Sequence, residues 1–351
     1  MMNSVVTLKT KRSEKHVEVR VGEPILFAGL RAGLDLPYEC CSGTCGTCQA
    51  SPVDAEAIEP LWPEAPGGGL LPDGEGRILM CQSAIRNTTE LKLFGRLREI
   101  TDDTTTPDYT SASLSSQCPL NDDVIAFDLA LDHPTRFKAG QFVLLQVPGL
   151  AGWRAYSMTS CCGDGGSIRL SFVIKKLDGG SFSDWLFTSN RVGERVRVFG
   201  PVGRACLQPE SDGNIIAIAG GSGIAGIMSV IDDAITQGHL NQKQGQIFFG
   251  VRNRQAMFFE EELAELVVRA NRNLAVTVAF SDEIPDSSDI RGMSLIFGNV
   301  HEVAKTALQD TPPSLETAVF VAGPAPMVEG AQTMLRECGL SDAQIRYDKF
   351  N

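Results

Sequence analysis

The chain has 351 residues, 43% of them hydrophobic and 21% charged, a globular balance that excludes disorder as its main state. Its 43 Asp and Glu against 31 Lys and Arg leave a net charge of −12, which argues against nucleic acid as a partner, because that affinity rests on basic side chains. Ten cysteines are too few for a disulfide scaffold in so long a chain, so they read as free thiols of a reducing compartment or as metal ligands.

The opening residues, MMNSVVTLKTKR, hold no apolar run, and a cytoplasmic location is expected. Val5–Thr10 and Val17–Val21 alternate as a hairpin. Pro24 opens a short helix over Ile25–Ala32, and Gly33 is placed to stop it. A cysteine-rich loop follows, then a Pro- and Gly-rich stretch, 63–76, that predicts more loop. Leu91, Leu93 and Leu97 mark a closing strand. These features define a small α+β domain over residues 1–96. The polar run Thr101–Ser111 reads as an interdomain linker, with the boundary drawn at 97–107.

Short strand patterns then recur at 124–131, 141–147, 154–160, 167–175 and 195–199, separated by turn residues. Residues 108–207 are therefore expected to form an antiparallel sandwich or barrel. From 208 to 351 the pattern changes. Buried strands at 215–220, 247–251, 274–280 and 318–323 alternate with helices at 224–236, 258–270 and 326–337, which predicts an α/β domain with a parallel sheet covered on both faces. The uncharged run Gly213–Ile231 has the length of a membrane span, but glycines 220, 221 and 223 would break such a helix, so no membrane segment is expected. Residues 208–351 hold 10 basic and 19 acidic side chains, net −9, so most of the acidity belongs to this domain.

Cys40, Cys45 and Cys48 stand in PYECCSGTCGTCQ, and Cys81 follows after 32 intervening residues. The C-x4-C-x2-C…C spacing is that of a plant-type [2Fe–2S] cluster. Gly43 and Gly46 let such a loop fold tightly and bring N–H groups near the sulfurs. Cys40 rather than Cys41 keeps the four-residue gap. A thioredoxin-type dithiol at CGTC and a four-cysteine zinc site are the rival readings.

The first ~95 residues resemble a plant-type ferredoxin fused to a chain that resembles the ferredoxin–NADP reductase family. The domain order, a β-grasp ferredoxin, a flavin barrel and a nicotinamide domain, is similar to the reductase components of bacterial oxygenases. PYECCSGTCGTC and LWPEAPG (61–67) resemble toluene monooxygenase reductases, and GGSFSDWLF (179–187) the xylene monooxygenase electron-transfer component.

That resemblance assigns FAD to RAYSM. Arg154 would pair with the pyrophosphate. Ala155 and Tyr156 would line the flavin, and Ser157 would place a hydroxyl near its N5. Ile174 and Lys175 would run along the cofactor, and Gly179, Gly180 and Ser181 would open a helix toward a phosphate. In the third domain, Gly220, Gly221 and Gly223 of GGSGIAG match the nicotinamide turn, with Gly226 where the family has Pro. Arg252 follows the next strand. Gly323, Pro324 and Met327 of AGPAPM match the family's C-G-P-x-x-M, with Ala322 in place of its Cys. Phe350 lies where the family stacks a C-terminal aromatic on the flavin.

The implied activity is a reductase that takes hydride from NADH and passes single electrons through FAD and the cluster to a separate oxygenase component or its intermediary ferredoxin. The coenzyme is read as NADH rather than NADPH, although Arg254 offers a cation for a 2′-phosphate. A monomer is expected. A monooxygenase of hydrocarbons is the first choice of acceptor. The alternatives are a ring-hydroxylating dioxygenase, deoxysugar synthesis, and, in another class, a redox sensor or interaction protein.

Overall fold

The computed structural model describes residues 4–100, 106–163, 165–210 and 212–350. Strands β1 (Ser4–Lys9) and β2 (Glu14–Val19) form the expected hairpin, and α1 (Ile25–Arg31) follows. Short strands β3 (Leu34–Asp35), β4 (Gln49–Pro52), β5 (Ile58–Pro60), β6 (Ile78–Leu79), β7 (Ser83–Ile85), β8 (Thr89–Leu93) and β9 (Arg98–Glu99) complete the segment. The sheet order is β2-β1-β8-β4-β6, with β1 and β8 parallel and the other pairs antiparallel. This is a β-grasp: a mixed sheet holding one helix. Every residue of α1 except Arg31 is buried. A Cβ on Gly29 would lie 2.4 Å from Leu36 Cδ1, so a larger residue here would have to push the buried Leu36 side chain aside. The buried Glu23 carboxylate accepts from Arg31 Nε and Nη2 at 3.0 Å each and from the backbone N–H of Arg20 at 2.8 Å, which satisfies its charge where the chain enters α1.

Next come β10 (Asp108–Asn121), β11 (Val124–Thr135), β12 (Phe142–Gln146), β13 (Arg154–Ser157), β14 (Ser167–Lys175), α2 (Ser181–Thr188) and β15 (Arg195–Val202). The expected linker is corrected here. Its residues Asp108–Ser111 begin the long strand β10, whose Ser- and Thr-rich sequence hides its alternation, while 101–105 lie outside the described residues. Further upstream, Arg98 and Glu99 pair antiparallel with β3. The strand expected to include Leu97 ends at Leu93, and the one expected over 154–160 ends at Ser157.

Two compact units divide the chain. One holds the residues up to Ala112 with Val143–Tyr156 and Arg195–Val202; the other holds Ser113–Phe142, Ser157–Glu194 and the residues from Gly203 on. In the first unit the strand order is β13-β12-β15 and then the start of β10. In the second it is the rest of β10, then β11 and β14. Within the second, Met158, directly after β13, bridges antiparallel to Phe172 of β14, and the Thr159 N–H donates to Ser171 O at 2.8 Å. That pairing joins the segment after β13 to β14 within this unit.

The last domain contains β16 (Ile215–Gly220), α3 (Ile224–Thr236), β17 (Gly245–Val251), α4 (Glu260–Arg269), β18 (Leu274–Phe280), β19 (Asp289–Ile290), β20 (Met293–Phe297), α5 (Val300–Asp310), β21 (Ala318–Pro324), α6 (Ala325–Glu337) and β22 (Ile345–Phe350). Their order is β19-β20-β18-β17-β16-β21-β22, parallel except for β19. Strand β16 shows why it lies in the centre. Ile215, Ala217 and Ala219 face the core under α3 and α4, while Ile216 and Ile218 face the core under α5 and α6. A period of two with apolar residues at both phases requires cover on both faces. Because β17 and β21 flank β16 on opposite sides, the strand order reverses there, and ligands of such sheets bind where the strands end at that reversal.

Candidate functional site

Three clusters of predicted residues can be followed in the structure. In the cysteine loop, Cys41, Gly43 and Gly46 take left-handed backbone at φ 54, 91 and 75°, the tight path expected of it. The Cys40 sulfur accepts the N–H groups of Ser42 and Thr44 at 3.4 Å each. The Cys45 thiol donates to it as well, and together these donors hold Cys40 down at about 4. Cys48 and Cys81 are both buried, with sulfurs 3.3 Å apart. The four thiols therefore stand as two close pairs, Cys40 with Cys45 and Cys48 with Cys81, and two thiols per metal is what a two-iron cluster requires. Soft thiolate donors with N–H groups aimed at a sulfur fit that centre. Cys41, within the loop, is buried.

The loop is braced from outside. Gly67 N–H donates to Gly43 O at 2.8 Å, and a Cβ on Gly67 would lie 2.9 Å from that oxygen. The stretch expected to be irregular thus carries a short 3-10 turn, Pro66–Leu70, seated on the loop at Gly43, Thr44 and Gly46. Gln82 is buried and turns its amide toward Cys81 Sγ at 3.7 Å.

The flavin motif spans β13. Arg154, Ala155 and Tyr156 are half-buried and Ser157 is buried. In the first unit the Arg154 guanidinium lies 5.3 Å from the Trp62 ring centre, which joins the LWPEAPG segment to the motif. Burial pushes the Tyr156 hydroxyl upward, so it stays neutral. In the second unit Ile174 is buried and Lys175 exposed at the end of β14. Gly179, at φ 72°, and Gly180 lead into α2 as expected. A Cβ on Gly180 would sit 2.7 Å from Ser183 Oγ, which itself donates to Gly180 O at 2.9 Å, so the loop is folded onto the helix start. Ser181 is exposed at that start.

The two nicotinamide turns meet at the reversal point. Gly221 has φ 53°, and a short 3-10 turn, Gly221–Gly223, joins β16 to α3. A Cβ on Gly223 would lie 2.3 Å from Ala322 O. One on Gly323 would lie 2.5 Å from Met327 Cε and 3.1 Å from Gly220 N. Gly220, Gly221, Gly223, Gly323, Pro324 and Met327 are therefore one backbone-lined surface. Gly226, in the first turn of α3, lies over Ser157: its added Cβ would be 3.5 Å from Ser157 Cβ. Arg252 is exposed past β17 and paired with Asp123 at 3.5 Å. Phe350 is in β22, in register with Pro324.

One polar residue at this place was not singled out from the sequence. Ser157 Oγ donates to Asp348 Oδ2 at 2.9 Å, and Asp348 is in register with Ala322. The tail RYDKFN offered Asp348 as a signal, but no periodicity marks a polar residue inside a terminal strand. Cys161 donates to Asp232 Oδ2 at 3.0 Å, and burial with that carboxylate pushes its thiol up to about 12, which makes it a poor nucleophile.

Three family models match in order: the 2Fe-2S iron-sulfur cluster binding domain over residues 8–86, the oxidoreductase FAD-binding domain over 111–206, and the oxidoreductase NAD-binding domain over 217–333. The chain is 33% identical to the ferredoxin–NAD(+) reductase component of the alkene monooxygenase system of Xanthobacter autotrophicus, covering 94% of this chain and 96% of that one. It is 29% identical to the xylene/toluene monooxygenase electron transfer component of Pseudomonas putida, over 94% and 89% of the two chains. A solved ferredoxin reductase of carbazole 1,9a-dioxygenase superposes with a TM-score of 0.82 at 28% identity, over 100% of both chains. Among the described residues, no helix is long and apolar enough to cross a membrane.

Proposed function

Because the chain belongs to the three-domain iron–sulfur flavoprotein branch of the ferredoxin–NAD(P) reductase family, and so is an NAD(P)H-dependent oxidoreductase, we propose that it is the reductase component of a multicomponent monooxygenase, using NADH and delivering electrons to a separate oxygenase protein or its ferredoxin. Bound FAD supplies the conversion of a two-electron hydride into single electrons, and a [2Fe–2S] cluster supplies the one-electron relay. The observation that carries the reading is the approach of Ser157, from the flavin motif, to Gly226 beside the nicotinamide turns.

In this reading Cys40, Cys45, Cys48 and Cys81 hold the cluster. Arg154 binds the FAD pyrophosphate, Ala155, Tyr156, Ile174 and Lys175 line the cofactor, and the Gly179–Ser181 turn meets a phosphate. Gly220, Gly221, Gly223, Arg252, Gly323, Pro324 and Met327 receive the dinucleotide. Ser157 and Phe350 border the place where the two rings meet. The working domains are 1–96, 108–207 and 208–351, and the protein acts as a cytoplasmic monomer.

Cys81→Ser tests the division of labour. The FAD-loaded variant is expected to lose the visible cluster spectrum and electron delivery to a one-electron protein acceptor, while NADH still drives ferricyanide reduction at close to the parent rate. Loss of both activities in folded, FAD-loaded protein would refute two-centre transfer. Cys40→Ser and Cys41→Ser, made separately, decide the first ligand: the cluster is expected to be lost in the first variant and kept in the second.

A further inference from the structure

Arg154 heads the flavin motif and is assigned to the FAD pyrophosphate. A long guanidinium side chain gives up freedom when it binds an anion, so whatever holds it in place beforehand strengthens binding. Several groups of the first unit hold it. Its Nη1 donates to Trp153 O at 3.1 Å. That carbonyl belongs to a residue fixed by its own ring, which is buried against Phe27. Gly152, at φ 76°, lies so close that an added Cβ would be 2.8 Å from Arg154 Nη1. A further hold comes from the ferredoxin segment: the guanidinium carbon stands over the Trp62 ring, 5.3 Å from its centre.

Trp62 is itself fixed by the cysteine region. Strand β5 pairs with β7 as far as Pro60 and Ser83, and the next N–H, of Leu61, donates to Gln82 O at 2.9 Å. Pro63 then takes the second place of a turn closed by Ala65 N–H to Trp62 O at 3.2 Å, a place that suits its fixed φ. Two residues on, Gly67 N–H reaches Gly43 O at 2.8 Å. The stretch 61–67 is thus tied at one end to the residue after Cys81 and at the other to the loop between Cys40 and Cys45. Trp62 and Arg154 are both half-buried, so water screens their attraction only in part. The kind of contact matters as well. A carboxylate beside Arg154 would neutralise the charge that a pyrophosphate needs. An indole face attracts the cation through its quadrupole, takes up no N–H donor and leaves the charge in place.

We propose that Trp62 is a positioning residue of the flavin site: the ferredoxin domain supplies the ring that holds Arg154 in place for the FAD pyrophosphate. The proposal rests on the assignment of Arg154 to FAD and adds to that site a side chain from the neighbouring domain. The test uses the full-length protein with its cluster in place and its FAD removed. It is titrated with FAD and with riboflavin, which has the same ring system and no phosphate. Quenching of flavin fluorescence reads both affinities without turnover.

Trp62→Leu fills much of the space without a ring, and Trp62→Phe keeps a ring face. Trp62→Leu is expected to weaken FAD binding about fivefold or more and to leave riboflavin binding within about twofold, while Trp62→Phe stays within about threefold of the parent for FAD. Fluorinated tryptophan placed at position 62 keeps the shape and weakens the negative face of the ring, so FAD affinity is expected to fall step by step with each added fluorine, in a series that leaves the fold alone. Unchanged FAD affinity in folded Trp62→Leu protein or across the fluorinated series overturns the proposal. So does an equal loss of FAD and riboflavin affinity, which a merely structural role would give. If the parent protein binds FAD no better than riboflavin, or if Arg154→Gln leaves FAD affinity unchanged, the assignment of Arg154 to the pyrophosphate fails instead.

Discussion

Ser157 and Asp348 show how a single hydrogen bond places a functional group. A serine hydroxyl can rotate among three positions, and a carboxylate 2.9 Å away selects the one that donates toward it. The hydroxyl lone pairs are then left on the side away from Asp348, and Gly226 lies close by, its added Cβ 3.9 Å from Ser157 Oγ. Asp348→Ala frees the rotor and leaves Ser157 buried with an unmet donor. A hydrogen bond to a charged partner is worth about 1.5–3 kcal/mol, so hydride transfer from NADH is expected to slow by about tenfold or more. The coenzyme KM is expected to change little, because the dinucleotide turns are untouched. Stopped-flow flavin reduction separates the two quantities. An unchanged reduction rate with a raised KM would move Asp348 from orienting Ser157 to binding coenzyme.

At the scale of elements, the close approach of two turns is what forms the backbone-lined surface proposed for the coenzyme. A Cβ on Gly223 would meet three backbone atoms of the neighbouring strand, at 2.3, 2.5 and 2.8 Å, and backbone cannot rotate away as a side chain does. Gly223→Ala is therefore expected to cost about 1–3 kcal/mol, lower Tm by several degrees and weaken 5′-AMP binding. Gly226→Ala, whose added carbon would meet Ser157 Cβ at an ordinary 3.5 Å, is expected to leave Tm nearly unchanged; equal losses in both would point to helix α3 rather than to the approach of the turns. These glycines were legible in the sequence because strand–glycine–helix order has few physical meanings. The alternation of β16 and the cysteine spacing were legible for the same reason. Strand β10 was not, since Ser and Thr at its apolar phase made it resemble a linker. Nor was the ion-pair cluster at Arg254. Its partner Glu260 is only six residues away, but Arg291, which shares that carboxylate, arrives from a hairpin whose pairing no local pattern reveals. Contacts set by tertiary placement are the part that sequence periodicity does not encode.

For the whole molecule, net charge is a poor guide to docking, since residues 208–351 carry −9 of the −12 and residues 1–95 only −3. Shared core is more informative. In the first unit, Phe27 of α1 is fully buried, stacked on Phe199 of β15 at 4.3 Å with rings 5° from parallel, and meets Trp153 edge-on at 5.5 Å. Tyr109, at the start of β10, closes the group at 4.8 Å from Phe199 and 5.9 Å from Trp153. The ferredoxin helix and three segments of residues 108–207 thus hold one aromatic cluster in common, which fixes the helix against β15 without relying on the connecting segment. Phe27→Ala removes the central ring and is expected to cost about 3–5 kcal/mol. If the cluster is shared, hydrogen exchange rises in both Ile25–Arg31 and Arg195–Val202, although the latter is far away in sequence. Phe27→Leu, which refills most of the volume, is expected to restore much of the protection. Faster exchange confined to α1 would mean that the helix is held by its own sheet alone and that Phe199 merely borders it.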